Sequence, residues 1–277
     1  MKGFQERCHF FNGVEEDQYI YGCTYIPSAQ KSTGVVLVSP VGRERLRCYD
    51  ESANLARDLA GRGYPVLRFD YRGEGESSGE FAEATLTSRR EDIATMVQEL
   101  RHRTDVEEIC LVGLRLGAYL AAQAALDLGI QRMILCDPVC SPAKFAKGML
   151  RSNILLQSSY FGEVFKKEPA LRTDLQRGET ISVYGFHLGQ PFLEELEGAD
   201  ADAGLADFSG EAAIIYMSTR KAKPKKDVAR WCELMSQNGR CEPVCAQLAF
   251  SWSSRKMWMP RLEPLNEAVA GWLEENC

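Results

Sequence analysis

Short runs of β-branched and aliphatic residues recur along the chain, separated by longer stretches with helical spacing. Gly34 to Ser39, Tyr64 to Asp70, Glu108 to Val112, Arg132 to Asp137 and Ala212 to Met217 read as strands. Their apolar character is nearly continuous, as expected of parallel strands buried on both faces. Between them, Asp50 to Arg62 and Leu86 to His102 carry apolar positions at helical spacing, among them Ile93, Val97 and Leu100. Gly63 stops the first of these helices. The helix Asp227 to Asn238, the strand Glu242 to Phe250 and the helix Leu262 to Glu275 close the pattern, and Phe4 to Phe11 with Tyr19 to Ile26 form an antiparallel hairpin at the start. This alternation predicts an α/β fold with a doubly wound, mostly parallel sheet.

The alternation breaks between Pro142 and Ser209. The region is long, charged and punctuated by Gly and Pro, with a turn at Tyr184-Gly185 and a short helix at Phe192 to Leu196. The expected organisation is therefore a core of residues 1–141 and 210–277 and a helical cap insertion at 142–209. Such an insertion would lie over the C-terminal edge of the sheet, where ligands of open α/β sheets bind.

One stretch carries the chemistry. Ile109-Cys110-Leu111-Val112-Gly113-Leu114-Arg115-Leu116-Gly117-Ala118 runs as an apolar strand into a sharp turn between two glycines and out as an Ala/Leu-rich helix. This is the pattern of a nucleophile elbow, in which the glycines leave room for the neighbouring strand and helix. The residue at its apex is Arg115. A guanidinium is permanently protonated and cannot attack a carbonyl carbon. At a helix N-terminus it would favour an anion, supplied either by Asp137, Glu74 or Glu76 or by a ligand.

Charge narrows the partners. A net charge of −6 gives no overall electrostatic reason to bind nucleic acid or an anionic membrane, so any basic function must be local. Arg43, Arg45 and Arg47 with the run Arg220 to Lys226, Lys221 included, would supply such a local rim. The first seven residues have no apolar core and no later run is long enough to span a bilayer, so a cytoplasmic protein is expected. Cys8, Cys23, Cys110, Cys136 and Cys245 sit inside strand patterns and read as free thiols. His9, His102 and His187 are scattered, so neither a metal nor another cofactor is expected.

With these elements placed, the chain resembles the α/β-hydrolase superfamily over nearly its whole length. Asp70-Tyr71-Arg72-Gly73-Glu74-Gly75-Glu76-Ser77 and the Gly113 to Gly117 elbow carry the resemblance. Within the superfamily it is most similar to the serine-aminopeptidase-like branch, including hydrolase-like proteins associated with exosortase systems. The resemblance implies an oxyanion hole from the backbone N–H groups of Val41 and Leu116, with Ser39-Pro40 where members usually carry His-Gly. It also implies a catalytic acid after the Ala212 to Met217 strand and a histidine after the last strand. The first region is basic, and no histidine follows His187.

Three functions fit these observations. The first is a hydrolase-fold protein without the Ser-His-Asp triad that binds a small anionic ligand, a carboxylate or phosphate, in the hydrolase pocket through Arg115, Val41, Leu116, Ser39, Lys221 and His187. The second is a hydrolase or acyl-transfer enzyme acting on a small ester, amide or thioester by a non-standard mechanism. The third is a partner-binding module of a biosynthetic or secretion cluster. A homodimer is compatible with all three.

Overall fold

The structure is a computed structural model that describes residues 3–13, 15, 17–220, 222–249, 252 and 261–277. Eight strands form one sheet: β1 (Phe4–Asn12), β2 (Tyr19–Pro27), β3 (Thr33–Val38), β4 (Val66–Phe69), β5 (Glu108–Leu114), β6 (Arg132–Cys136), β9 (Glu211–Ser218) and β10 (Arg240–Gln247). Their order is β1-β2-β4-β3-β5-β6-β9-β10. The β1–β2 and β2–β4 pairs are antiparallel, and every other pair in the sheet is parallel. The parallel α/β pattern and the N-terminal hairpin are those expected from the sequence.

Burial on both faces follows from the apolar runs. Along β3, Val36 and Val38 pack into the layer under α2 (Leu86–Arg103) and α3 (Leu116–Leu128), which α7 (Lys226–Met235) continues, while Val35 and Leu37 pack under α1 (Arg43–Gly61) and α8 (Glu263–Asn276). Each is less than 4% exposed, so this strand has no solvent-facing side for a polar residue to occupy.

Two expectations differ from the structure. Helix α1 starts at Arg43 rather than Asp50, and its two parts meet at a kink at Cys48, where the backbone leaves helical values. No Ser, Thr, Asp or Asn caps that start; Gly42, at φ 61°, turns the chain into the helix instead. The second is the amount of regular structure in residues 142–209, expected as a helical cap with one short helix at Phe192 to Leu196. They hold a 20-residue helix, α4 (Pro142–Phe161), then α5 (Glu168–Gln176), a small hairpin of β7 (Ile181–Val183) and β8 (Phe186–Leu188), and α6 (Gln190–Gly198). Tyr184-Gly185 is the hairpin turn, with both residues at positive φ. The segment folds back on the β3–α1 loop: Phe186 packs on Phe81 at 5.1 Å and faces the Cα of Gly42. Lys221 lies outside the described residues, as do 250, 251 and 253–260, where the sequence would have placed the end of the last strand and the histidine-bearing loop.

Candidate functional site

Strand β5 and helix α3 meet at the elbow, and the backbone is as strained there as the glycine spacing implies. Arg115 is the N-cap of α3 at φ 59° and ψ −121°, a region that L-residues rarely occupy. A Cβ on Gly113 would meet the Cα of Ala118 at 2.5 Å, and one on Gly117 would collide with the carbonyl oxygens of Val38 and Ser39. The turn is tied down by the Arg115 amide, which donates to the Cys136 carbonyl at 3.0 Å, and by the Arg115 carbonyl, which accepts from Ala118 at 3.0 Å and Val139 at 3.2 Å.

The Arg115 side chain is enclosed by acids. Its Nε and Nη2 donate to the two carboxylate oxygens of Glu44 at 3.2 and 3.3 Å, a bidentate pair. Its Nη1 donates to the backbone oxygen of Asp137 at 2.9 Å and to Oδ2 of the same residue at 3.2 Å. Trp252 completes the enclosure: its ring lies 5.1 Å from the guanidinium carbon, and its Nε1 donates to Asp137 Oδ2 at 2.6 Å. The side chains of Arg115, Glu44 and Asp137 are each about one-sixth exposed. Burial pushes the Glu44 carboxyl above the usual carboxylate range, and the Arg115 charge pulls it back down. The cluster is one cation between two acids, so an incoming anion would meet net negative charge.

Asp137 was among the acids expected beside Arg115, whereas Glu74 and Glu76 are not its partners. Glu74 is fully buried, accepting from the Gly42 amide at 3.1 Å and from Arg89 at 3.1 Å. Glu76 is exposed. Sequence reasoning missed Glu44. The available signal was its position two residues after a glycine that turns into a helix, where an acid favours the first turn. Arg45 departs from the expected basic rim: it is buried and paired with Asp70. Arg72 holds the loop after β4 through Asp92 and Glu91.

The two segments expected to supply an oxyanion hole leave adjacent strands. Val38 of β3 pairs in register with Gly113 of β5, so the Ser39-Pro40-Val41 loop and Leu116 leave adjacent strands at the same sheet edge. Leu116 lies in the first turn of α3, where amides have no partner within the helix. The Ser39 carbonyl accepts from the Tyr71 hydroxyl at 3.1 Å.

Candidate nucleophiles and bases are not brought together among the described residues. His9 pairs with Thr24 at 3.1 Å, His187 with Thr180 at 3.2 Å on the exposed face of β8, and His102 is exposed at the end of α2. Ser77 Oγ donates to the Asp70 carbonyl and accepts from the Tyr21 amide, and Ser78 Oγ accepts from the Tyr19 amide. The thiols flanking the cluster are held protonated: burial pushes Cys48 and Cys140 up to about 12 and Cys136 well above its ordinary value. Among the described residues no group of His, Cys, Asp and Glu could hold a metal, and no helix is long and apolar enough to cross a membrane.

A separate open cleft of about 1170 Å³ lies between α1, the second half of α4 and the β7–β8 turn. Arg43, Arg47 and Arg261 line it together with Leu46, Tyr160, Phe161 and Tyr184. The Arg43 guanidinium stacks over the Tyr184 ring at 4.1 Å. Burial, and then repulsion from Arg43, pull Arg47 below the ordinary arginine range.

The family signature described as serine aminopeptidase, S33, matches residues 30–175, more than half of the chain. The chain belongs to that family, within the α/β-hydrolase fold. Two curated relatives match a shorter segment. Human protein ABHD12B is 29% identical over 110 residues, covering 40% of this chain and 30% of its own length. YfhR of Escherichia coli O157:H7 is 36% identical over 111 residues, 38% of each. The chain thus spans well under half the length of these relatives. Among solved structures, Est1E of Butyrivibrio proteoclasticus with bound ferulic acid superposes with a TM-score of 0.68 at 15% identity, covering 97% of this chain and 98% of that one.

Proposed function

We propose that this chain is a non-catalytic member of its family: a hydrolase-fold binding protein that does not cleave acyl bonds from the elbow. One observation carries the reading. The apex of the elbow is a guanidinium whose donors are taken up by Glu44 and Asp137. Such a group offers no lone pair for attack, and its positive charge is already neutralised from within the protein. The fold and the elbow strain remain, while the group that uses them in an acyl-transfer cycle is replaced by an internal ion cluster.

The ligand in this proposal is a small amphiphilic anion such as an aryl or alkyl carboxylate. Its site is the cleft beside α1 rather than Arg115, whose acids would repel it. Arg43, Arg47 and Arg261 bring positive charge to it, Arg47 while donating to the Trp252 carbonyl at 2.6 Å and Arg261 while paired with Glu263, and Leu46, Tyr160, Phe161 and Tyr184 take the apolar part. An anion beside Arg47 would relieve the repulsion that Arg43 imposes on it. Est1E binds ferulic acid, an aromatic carboxylate, on the same fold, which is compatible with this ligand class. Residues 142–209 act as the cap, because α4 and the β7–β8 turn form one wall of the cleft. A cytoplasmic location remains part of the proposal.

The enzyme reading draws on the Leu116 amide in the first turn of α3, which would stabilise an oxyanion. A panel of chromogenic acyl esters and aminoacyl amides separates the two. The proposal expects no turnover above buffer. Turnover by the purified chain that a single substitution between Val41 and Glu44 or at Arg115 abolishes would overturn it.

A further inference from the structure

The largest exposed apolar feature sits at the end of α4 and in the loop that follows. The buried stripe of this helix is Pro142, Ala146 and Leu150, continued by the half-buried Ile154. Beyond that point the apolar residues turn outward: Leu155 is 45% exposed, Tyr160 78%, Phe161 68%, Val164 38% and Phe165 59%. Gly162, at φ 78°, ends the helix, and residues 158–167 are all exposed, so they project as a tip. Phe161 and Phe165 stack edge to face at 5.3 Å. Four large apolar side chains on a single short protrusion, with Leu155 exposed just below it, mark an interaction surface.

The charge around the tip selects its partner. Helix α4 carries Lys144, Lys147 and Arg151, all exposed, and no acidic residue. Lys166 and Lys167 close the tip and Glu163 is its one acidic residue; Lys166 is paired with Asp174. This basic face belongs to a chain whose net charge is −6. A two-fold contact with a second copy would bring this basic face against itself, which disfavours a homodimer through this patch. Exposed aromatics beside a row of cations are instead the combination that inserts into and adheres to an anionic lipid surface.

We propose that the α4 tip docks on anionic lipid bilayers, with Val164 and Phe165 entering the headgroup region and Lys144, Lys147 and Arg151 lying along it. The surface opens next to the cleft through Tyr160 and Phe161, but the docking does not depend on what the cleft holds.

Vesicle flotation of the full chain, with no soluble ligand added, tests it. Phosphatidylcholine vesicles containing phosphatidylglycerol should carry the protein at low ionic strength, and pure phosphatidylcholine vesicles should carry about tenfold less. Val164→Asp with Phe165→Asp should lower flotation by a similar factor, as should Lys144→Glu with Lys147→Glu and Arg151→Glu. These residues are exposed, and an unchanged thermal melt confirms that the variants fold. No flotation with anionic vesicles would overturn the proposal, as would flotation indifferent to the tip variant. A concentration-dependent dimer that the tip variant dissolves, without vesicle binding by the parent chain, would overturn it in favour of a copy-to-copy interface. Because flotation reads membrane binding alone, with no soluble ester substrate or carboxylate probe added, failure here leaves the proposed cleft ligand and the absent hydrolysis untouched.

Discussion

The guanidinium of Arg115 and the carboxylate of Glu44 meet as two parallel hydrogen bonds, at 3.2 and 3.3 Å, across the gap between the strained elbow and the first turn of α1. The contact joins the two loops that leave neighbouring strands β3 and β5. It is therefore a fastening between the two halves of the site as well as a neutralised charge.

Arg115→Ala removes the cation and leaves Glu44 facing Asp137. Breaking such a pair costs about 3 kcal/mol near neutral pH, at the low end for buried pairs because these side chains are partly exposed. Burial already raises the Glu44 carboxyl, and losing Arg115 raises it further. A carboxyl with a raised folded value contributes stability that is present below its unfolded value and lost as pH rises through the folded one. The deficit of the variant should therefore shrink as pH falls from neutral toward the ordinary carboxylate value of about 4.5. Urea unfolding of both proteins across that range measures it, and a deficit independent of pH would contradict the cluster.

Gly117→Ala should destabilise strongly. The added methyl has no free space, since backbone oxygens of Val38 and Ser39 occupy it and neither belongs to a flexible side chain. A loss of about 3 kcal/mol or more is expected, at or above the upper end for overpacking. Thermal or urea unfolding reads it directly.

Glu197 behaves in the opposite sense from Glu44. Its hydrogen bonds to Arg172, at 2.6 and 3.1 Å, hold its carboxyl below the usual range. A lowered folded value gives stability that is present above the unfolded value and lost as pH falls through the folded one. Glu197→Gln should cost most at neutral pH, and the gap to the parent should close on acidification below about 4.5. The stability difference followed against pH checks the sign.

Arg47→Ala should weaken binding of an aryl carboxylate probe such as ferulate by about 1.5–3 kcal/mol, the worth of a charged hydrogen bond. Titration calorimetry with parent and variant measures it. Equal affinities would remove the cleft from the account.

The sheet was legible from the chain because buried parallel strands leave a continuous apolar signature, as at Val35 to Val38, and because the Gly113 and Gly117 spacing admits few other turns. The partner of Arg115 was less legible. Glu44 lies 71 positions away, on a helix whose start lacks a polar cap and is set by Gly42, so local pattern placed it in a loop. Arg45 and Arg47 look alike in sequence, yet one is buried on Asp70 and the other lines the cleft, because two residues along α1 are more than half a turn apart and the start of that helix was not legible. Helix α4, within the helical insertion expected at 142–209, went unplaced for a different reason. Helix α4 has a narrow buried stripe that ends at Ile154, and its outward apolar tip blurs the helical period.

Intact-mass analysis after exposure to a fluorophosphonate probe tests the central claim most directly, with Arg115→Ser run beside the parent chain. The account predicts no adduct on the parent and none on Arg115→Ser at neutral pH, because among the described residues no histidine stands beside the elbow to activate a hydroxyl there. A stoichiometric adduct on the parent that maps to one serine and disappears when that serine is replaced would contradict it.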